Sequence, residues 1–241
     1  MSLINGVVVG LVSDINQKGM VKVKFPWLPD EPETDWIRIA TAMSGDERGT
    51  FFMPEPQDEC LVAFEHGDTS YPYVVGFLWN GKDKPPEKDI NVRRIKTKSG
   101  HTIEFNDNPM KEKIVIKSQG EHTIELDDNP GQEKIVIKSK NEQTIEINDT
   151  LPGIIKISTG TGSINVSTQT GSISISTQAG NVMIDCISAT VTAKAAVNVL
   201  APMATFSGVV QAPTIIAGSG QFGAVVSGAY NPGVPGNIFG L

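Results

Sequence analysis

The chain has 241 residues, a formal net charge of −7 and a pI near 5.0. This acidic balance argues against a nucleic-acid partner, because phosphates require a basic surface. No apolar run reaches the eighteen or so residues of a membrane helix, and the N-terminus has neither the basic segment nor the cleavage site of a secretory signal. We therefore expect a protein made in the cytoplasm. Cys60 and Cys186 form no spaced pair, which argues against a disulfide framework or a zinc site.

Composition divides the chain into unlike regions. Ten of the fifteen aromatic residues lie between Phe25 and Trp79. From Thr161 to Leu241 the only charged side chains are Asp185 and Lys194. A single globule with one evenly mixed core does not fit this distribution.

The first region contains five short β-rich runs separated by Pro, Gly and Asp clusters. The run at 20–25 alternates strictly, with valines and Phe25 on one face and lysines on the other, which is the period of a half-buried strand. The other runs cover 7–12, 36–40, 60–64 and 73–78. Five short strands in about eighty residues suit an OB-fold barrel, which we predict over residues 1–86. We expect Trp36 and Trp79 to be core or trimer-contact residues rather than platforms for stacked bases.

A periodic region follows a linker. Segments 99–118 and 120–139 are offset by 21 residues, a third copy covers 141–159, and a nine-residue period marked by glycines continues from Gly153 to Gly180. Each 21-residue unit holds two alternating strands. Within a strand, alternate apolar residues share one face, as Ile103 and Phe105 do and as Ile114 and Ile116 do. The opposite face carries Glu or Lys, which suits water and cross-strand charge pairing.

Each of these strands supplies only about two inward apolar side chains, too few for an isolated sheet. Two architectures would cover them: a single-chain parallel β-helix, or an intertwined trimer. The nine-residue period favours the trimer, because one strand plus one turn moves the chain to the next face. We predict a neck at 87–99, a shaft at 100–200 and a tip at 201–241. Strands from Ile103 to Val191 would stack to roughly 45–50 Å at the usual strand spacing.

Three segments carry a family resemblance: VKVKFPWLP at 21–29, DWIRIATAMSGDERGTFFMPEPQDECLVAFEHGD at 35–68 and YPYVVGFLWNGKDKPP at 71–86. They resemble the OB domain of contractile-tail spike proteins, namely the phage baseplate assembly protein V family and the VgrG proteins of type VI secretion. The resemblance implies an all-β homotrimer with an N-terminal OB-fold barrel and an intertwined trimeric β-helix (β-prism) spike.

The resemblance also implies a function and partners. We expect a structural, non-enzymatic spike that pierces a target membrane transiently and is assembled with inner-tube and baseplate proteins of a phage or phage tail-like particle. VgrG proteins carry a hub region before the OB domain, whereas this chain starts almost at the barrel, so we expect a separate hub protein. A PAAR-repeat cap is expected at the apolar tip, with Tyr230, Ile238, Phe239 and Leu241 as docking candidates. The alternative is a trimeric tailspike or adhesin that binds or degrades cell-surface glycans.

Few residues suggest chemistry. His101 and His122 occupy equivalent repeat positions, so a trimer could place each in a ring of three imidazoles that binds a transition metal; the alternative is an exposed side chain beside a turn. Carboxylates form no acid–base pair that the sequence can define, and no nucleophile elbow or phosphate loop is present. We expect no catalytic residue and no cofactor.

Overall fold

Short β-strands make up nearly all the regular structure in the computed structural model, which describes residues 3–211. The one helical element in that range is a 3₁₀ turn, Glu65–Gly67. The described residues therefore contain no helix long and apolar enough to cross a membrane. The predicted all-β class is confirmed. The chain divides into two units, 1–171 and 172–241, which are described separately below.

Five strands near the N-terminus close into a barrel. They are β1 (Val7–Ile15), β2 (Met20–Lys24), β3 (Ile37–Ile39), β6 (Glu59–Phe64) and β7 (Pro72–Phe77), in the order β1-β2-β3-β7-β6, with β1 and β6 pairing to complete the ring. The β3–β7 pair is parallel and the other pairs are antiparallel. A two-stranded hairpin, β4 (Ser44–Gly45) and β5 (Arg48–Gly49), lies between β3 and β6. The barrel confirms the OB prediction.

The barrel core is built mainly from small branched side chains. Its buried members are Val12, Val21, Val23, Phe25, Ile37, Cys60, Val62, Phe64 and Val74. Gly10 of β1 is required by close packing, because a Cβ at this position would lie 2.3 Å from Cγ1 of Val23. Trp36 and Trp79 are not core residues, since they are 38% and 71% exposed. The buried positions of the barrel are held by aliphatic residues, Cys60 and the phenyl rings of Phe25 and Phe64 instead.

The second part of the first unit is a seven-stranded antiparallel sheet in chain order. Its strands are β8 (Val92–Lys96), β9 (Thr102–Asn106), β10 (Lys113–Lys117), β11 (Thr123–Asp127), β12 (Lys134–Lys138), β13 (Thr144–Asn148) and β14 (Ile154–Ser158). Alternating isoleucines and threonines favour extended backbone. The two strands predicted in each 21-residue unit are confirmed, and each strand pairs with its neighbours in the chain.

Two features of this sheet differ from expectation. β8 lies inside the segment predicted as a neck, because its two consecutive arginines hide the alternation that marks a strand. Successive strands also stay in one sheet from 92 to 158, so in this part a strand and a turn do not carry the chain to another face. The shift between faces was inferred from the nine-residue repeats.

Residues 160–211 contain no strand paired within the chain, and nearly all of them are exposed. Strands were predicted here at 164, 173, 182 and 191. In an intertwined trimer their ladder partners would belong to other chains, so intertwining in this part stays a prediction. The second unit is described over 172–211. The tip candidates Tyr230, Ile238, Phe239 and Leu241 lie outside the described residues.

Candidate functional site

One face of the seven-stranded sheet is almost wholly apolar. The strand registers align its side chains in two columns, the first from β9 to β14 and the second across all seven strands; Arg93 holds the β8 position of the first column. The first column contains Phe105, Ile114, Leu126, Ile135, Ile147 and Ile155, and the second contains Ile95, Ile103, Ile116, Ile124, Ile137, Ile145 and Ile157. A groove of about 650 Å³ follows the second column and reaches Ile164. We call this surface the apolar face.

The opposite face of the sheet is charged. Its central column contains Arg94, Glu104, Val115, Glu125, Val136, Glu146 and Lys156. Arg94 forms an ion pair with Glu104, and Lys113 Nζ lies 3.6 Å from Glu125 Oε2. These pairs confirm the predicted cross-strand charge pairing, so this is the face that suits water.

Side chains of the apolar face are more exposed to solvent than the glutamates of the charged face. This is the reverse of what would stabilise an isolated sheet in water. Ile103 and Ile137 are 37% and 45% exposed and Ile155 is 74% exposed, whereas the Glu104 and Glu125 side chains are 20% and 28% exposed. A contiguous apolar surface of this kind marks a protein–protein interface. The apolar face is therefore the candidate functional site, and its function is assembly.

The linker before β8 is fastened to the sheet. The Arg94 guanidinium donates to the carbonyl oxygen of Pro86 at 3.1 Å and lies 2.8 Å from the Glu87 carboxylate, and Asn108 Nδ2 donates to Asp89 Oδ2 at 2.7 Å. Backbone amides of Lys88 and Asp89 hold the pKa of Glu87 below its usual range, and the amide of Asn91 does the same for Asp89. The junction thus consists of defined contacts.

The barrel also touches the sheet directly. Lys98 Nζ lies 2.6 Å from Glu55 Oε2, and joins the first turn of the sheet to the loop before β6. Both side chains are largely exposed, so this ion pair contributes little to stability.

His101 and His122 lie at equivalent turns along one edge of the sheet. Nδ1 of His101 accepts a hydrogen bond from the backbone N–H of Gln119 at 3.2 Å, and Nδ1 of His122 accepts one from Lys140 at 3.3 Å. Each ring therefore links its own turn to the next. A metal bound at Nε2 would require Nδ1 to carry the proton and release this bond.

Metal binding is not supported by any cluster within one chain. Residues 3–211 contain no group of three or more His, Cys, Asp or Glu side chains placed to hold an ion. A ring formed by three chains stays a prediction, and elemental analysis of the purified assembly tests it. The two cysteines are free, Cys60 in the barrel core and Cys186 exposed.

A groove on the barrel brings together aromatic and charged residues that are scattered in the sequence. Trp27, Trp36 and Tyr71 line it, and Lys22 Nζ lies 5.3 Å from the centre of the Trp36 ring. Glu33 Oε2 lies 3.7 Å from the same lysine and offsets its charge. Sequence reasoning missed this grouping because the residues come from different strands and loops, and their pairing becomes visible only in the barrel.

The fold and the apolar face together define an OB-domain protein that assembles through a repetitive strand region. Residues 4–79 match the type VI secretion system/phage-baseplate injector OB domain, and residues 113–179 match the phage baseplate V C-terminal trimerisation domain. The chain belongs to the phage baseplate V and VgrG family of spike proteins. The trimerisation match includes β10 to β14 and supports a homotrimer.

The curated relatives are much longer proteins. VgrG3 of Vibrio cholerae is 28% identical over 110 residues, which are 41% of this chain and 11% of VgrG3. VgrG1c of Pseudomonas aeruginosa is 31% identical over 108 residues, 41% of this chain and 15% of VgrG1c, and VgrG2a is 36% identical over 72 residues, 28% and 9% of the two chains. All three are named type VI secretion system spike proteins. These matches favour a spike over a tailspike or adhesin.

Proposed function

We propose that the chain is the membrane-piercing central spike of a contractile injection machine. The observation that carries this proposal is the apolar face, whose second column of isoleucines continues over all seven strands of the sheet that follows a closed barrel. A structural spike needs a rigid attachment at one end and a stiff shaft at the other. The OB barrel, the fastened linker and the strand array meet these needs.

Trimer formation would give the shaft its stiffness. Three copies of the sheet, with their apolar faces turned inward, enclose a narrow core and leave the charged faces in water. Each half-exposed isoleucine that is buried contributes roughly 1 kcal/mol, so the full set of columns supplies a strong drive for association. A closed prism of this kind resists local opening, because each apolar side chain contacts those of two other chains.

The proposed partners follow from this geometry and from the family. The barrel end would dock on a hub protein beneath the inner tube of a baseplate, in a phage or a phage tail-like particle. The C-terminal end would contact the target membrane transiently and carry a PAAR-repeat cap on Tyr230, Ile238, Phe239 and Leu241. A role for nucleic acid is not part of the proposal, because Glu33 and the net charge oppose phosphate binding.

The mass and shape of the purified full chain test the proposal. Light scattering after size-exclusion chromatography is expected to give three times the 25.8 kDa chain mass. Negative-stain images are expected to show a rod with a wider barrel end. A globular particle with the mass of one chain would exclude the spike.

Docking of a cap is tested separately. A purified PAAR-repeat protein is expected to bind the full chain and to lose that binding in the Ile238→Ser, Phe239→Ser double variant. Equal binding by the unmodified chain and the double variant would remove Ile238 and Phe239 from the proposed cap-docking site. The proposal that the chain is a spike would be unaffected.

A further inference from the structure

The strand ends and turns of the seven-stranded sheet lie along two opposite sides of it, and these two sides carry opposite charge. Each such side is called an edge here, in distinction from the outermost strands β8 and β14. One edge consists of residues 96–102, 117–123 and 138–144, the turns that follow β8, β10 and β12. It holds five lysines and two glutamates, a net charge of +3. We call it the basic edge.

The other edge consists of residues 106–113, 127–134 and 148–154, the turns that follow β9, β11 and β13. It holds six carboxylates and three lysines, a net charge of −3. We call it the acidic edge. The two edges are thus equal in magnitude and opposite in sign, although the chain as a whole is acidic.

Symmetry determines which edges meet. This step rests on the trimer of the proposed function. In a cyclic trimer every contact between neighbours is heterologous, which means that two different surfaces of the chain meet. If three sheets turn their apolar faces inward, the basic edge of each sheet lies beside the acidic edge of the next. We infer that each corner of the shaft is a charge-complementary seam between two copies of this chain.

Charged groups on both edges are available for pairing. Lys96, Lys117 and Lys140 are exposed and form no ion pair within the described part of the chain, and the same holds for Asp128 and Asp149. On the acidic edge, Glu112 Oε2 and Asn129 Oδ1 are shielded from solvent and accept no hydrogen bond within the described residues. For pairing with another chain, the acidic edge therefore offers the exposed carboxylates of Asp128 and Asp149, and the basic edge offers the ammonium groups of its three exposed lysines.

The seam has a consequence for orientation. Turning one sheet end for end, with its apolar face still inward, exchanges its two edges. Basic edge would then meet basic edge, and acidic edge would meet acidic edge. Like charges placed opposite one another disfavour that arrangement. The edges thus select the trimer in which all three chains point the same way, whereas the apolar columns alone do not.

Charge reversal of whole edges tests the seam without knowledge of which turns are level across the corner. The basic-edge variant is Lys96→Glu, Lys117→Glu, Lys140→Glu, which changes that edge from +3 to −3. The acidic-edge variant is Glu112→Lys, Asp128→Lys, Asp149→Lys, which changes the other edge from −3 to +3. A combined variant carries all six changes and exchanges the charges of the edges. The control variant is Lys18→Glu, Lys82→Glu, Lys84→Glu on exposed barrel positions.

Trimer dissociation of the full-length chain is followed by analytical ultracentrifugation at about 50 mM and about 500 mM salt, because screening weakens charge pairing. Each edge variant is expected to associate about tenfold or more weakly at low salt and to recover in part at high salt. The combined variant and the barrel control are expected to resemble the unmodified chain.

Two outcomes would overturn the seam. In the first, both edge variants form trimers as tightly as the unmodified chain. In the second, the combined variant associates no more tightly than the basic-edge or the acidic-edge variant. Recovery in the combined variant also shows that the six substitutions permit folding. If the unmodified chain itself is a monomer, the proposed spike fails, and this result is distinct from failure of the seam.

Discussion

Val115 and Ile116 are adjacent in β10 and face opposite sides of the sheet. Ile116 lies between Ile103 and Ile124 on the apolar face, whereas Val115 lies between Glu104 and Glu125 on the charged face. Two neighbouring aliphatic residues therefore have different environments in the proposed trimer. Substitutions at these two positions therefore distinguish an effect on trimer assembly from an effect on strand formation.

Replacement of each residue by aspartate is expected to have unequal effects. Ile116→Asp places a carboxylate without a partner in the trimer core and is expected to weaken association by about 3 kcal/mol or more. Val115→Asp leaves its carboxylate in water beside two glutamates and is expected to preserve the trimer. Sedimentation of the two full-length variants measures the difference. Dissociation by Val115→Asp and not by Ile116→Asp would show that the charged face is the interface.

Gly10→Ala is expected to destabilise the barrel by roughly 1–3 kcal/mol. The added methyl group would lie 2.3 Å from Val23 Cγ1, in a core with no space to yield. Gly76→Ala is the matched control, because a Cβ there meets nothing within 4 Å. Urea unfolding followed by tryptophan fluorescence compares the two. Equal midpoints for both variants would refute the close approach of β1 to β2.

The thiol of Cys60 is expected to make barrel stability fall in alkaline solution. Burial, and then the charge of Glu59, raise the pKa of Cys60 from 9.0 to about 11. The unfolded chain loses this proton near pH 9, whereas the folded barrel keeps it until about pH 11. The free energy of unfolding is therefore expected to decline across that interval, and Cys60→Ala is expected to lose that part of the slope.

A thiol reagent checks the same environment. In a Cys186→Ser background, Cys60 is expected to react at pH 8 only as fast as the barrel opens, and rapidly in denaturant. Rapid labelling of the folded protein would show that the thiol is accessible.

Arg94→Met is expected to loosen the linker before β8. The guanidinium contacts Pro86, Glu87 and Glu104, and its side chain is 24% exposed. Hydrogen exchange of the amides in 87–91 is expected to quicken about tenfold, with the trimer retained. Arg93→Met is the control, because the Arg93 side chain is 65% exposed and its single ion pair with Asp107 contributes little. Similar exchange in both variants would contradict the fastening role of Arg94.

Acid is expected to loosen the same linker. The pKa values of Glu87 and Asp89 lie below their ordinary values of 4.5 and 3.8, because the folded linker donates hydrogen bonds to the charged carboxylates. This contribution is complete above the ordinary values and is lost as the pH falls through the lowered ones. The protection factors of the amides in 87–91, which are corrected for the intrinsic exchange rate at each pH, should therefore fall in that acidic interval in the unmodified chain, and Glu87→Gln should weaken the response.

Strand period predicted the faces of the sheet well. Ile103 and Phe105 share the apolar face as expected, and so do Ile114 and Ile116, because alternation within a strand determines which side chains lie together. It does not determine which strand is the neighbour, so the single antiparallel sheet of 92–158 was not foreseen. β8 was missed because Arg93 and Arg94 mask its pattern.

The barrel was also predictable in outline. Five short β-rich runs gave its strands, yet Trp36 and Trp79 were assigned to a core or a trimer contact, and exposure excludes the core for both. Aromatic residues are assigned to cores by size, whereas the radius of a five-stranded barrel limits which side chains fit. The opposite charges of the two sheet edges are present in the sequence, but they become separate surfaces only when the hairpins are stacked.

The number of repeats in the antiparallel meander sets the length of the shaft. Each 21-residue repeat adds one hairpin, and its contacts are almost entirely with the hairpins before and after it. Removing residues 120–140 would therefore shorten the shaft by two strands, roughly 9–10 Å, while the remaining columns and edges stay in register. Duplication or loss of whole repeats would therefore change the length of the shaft. The surfaces that form the trimer and the barrel that attaches it would stay the same.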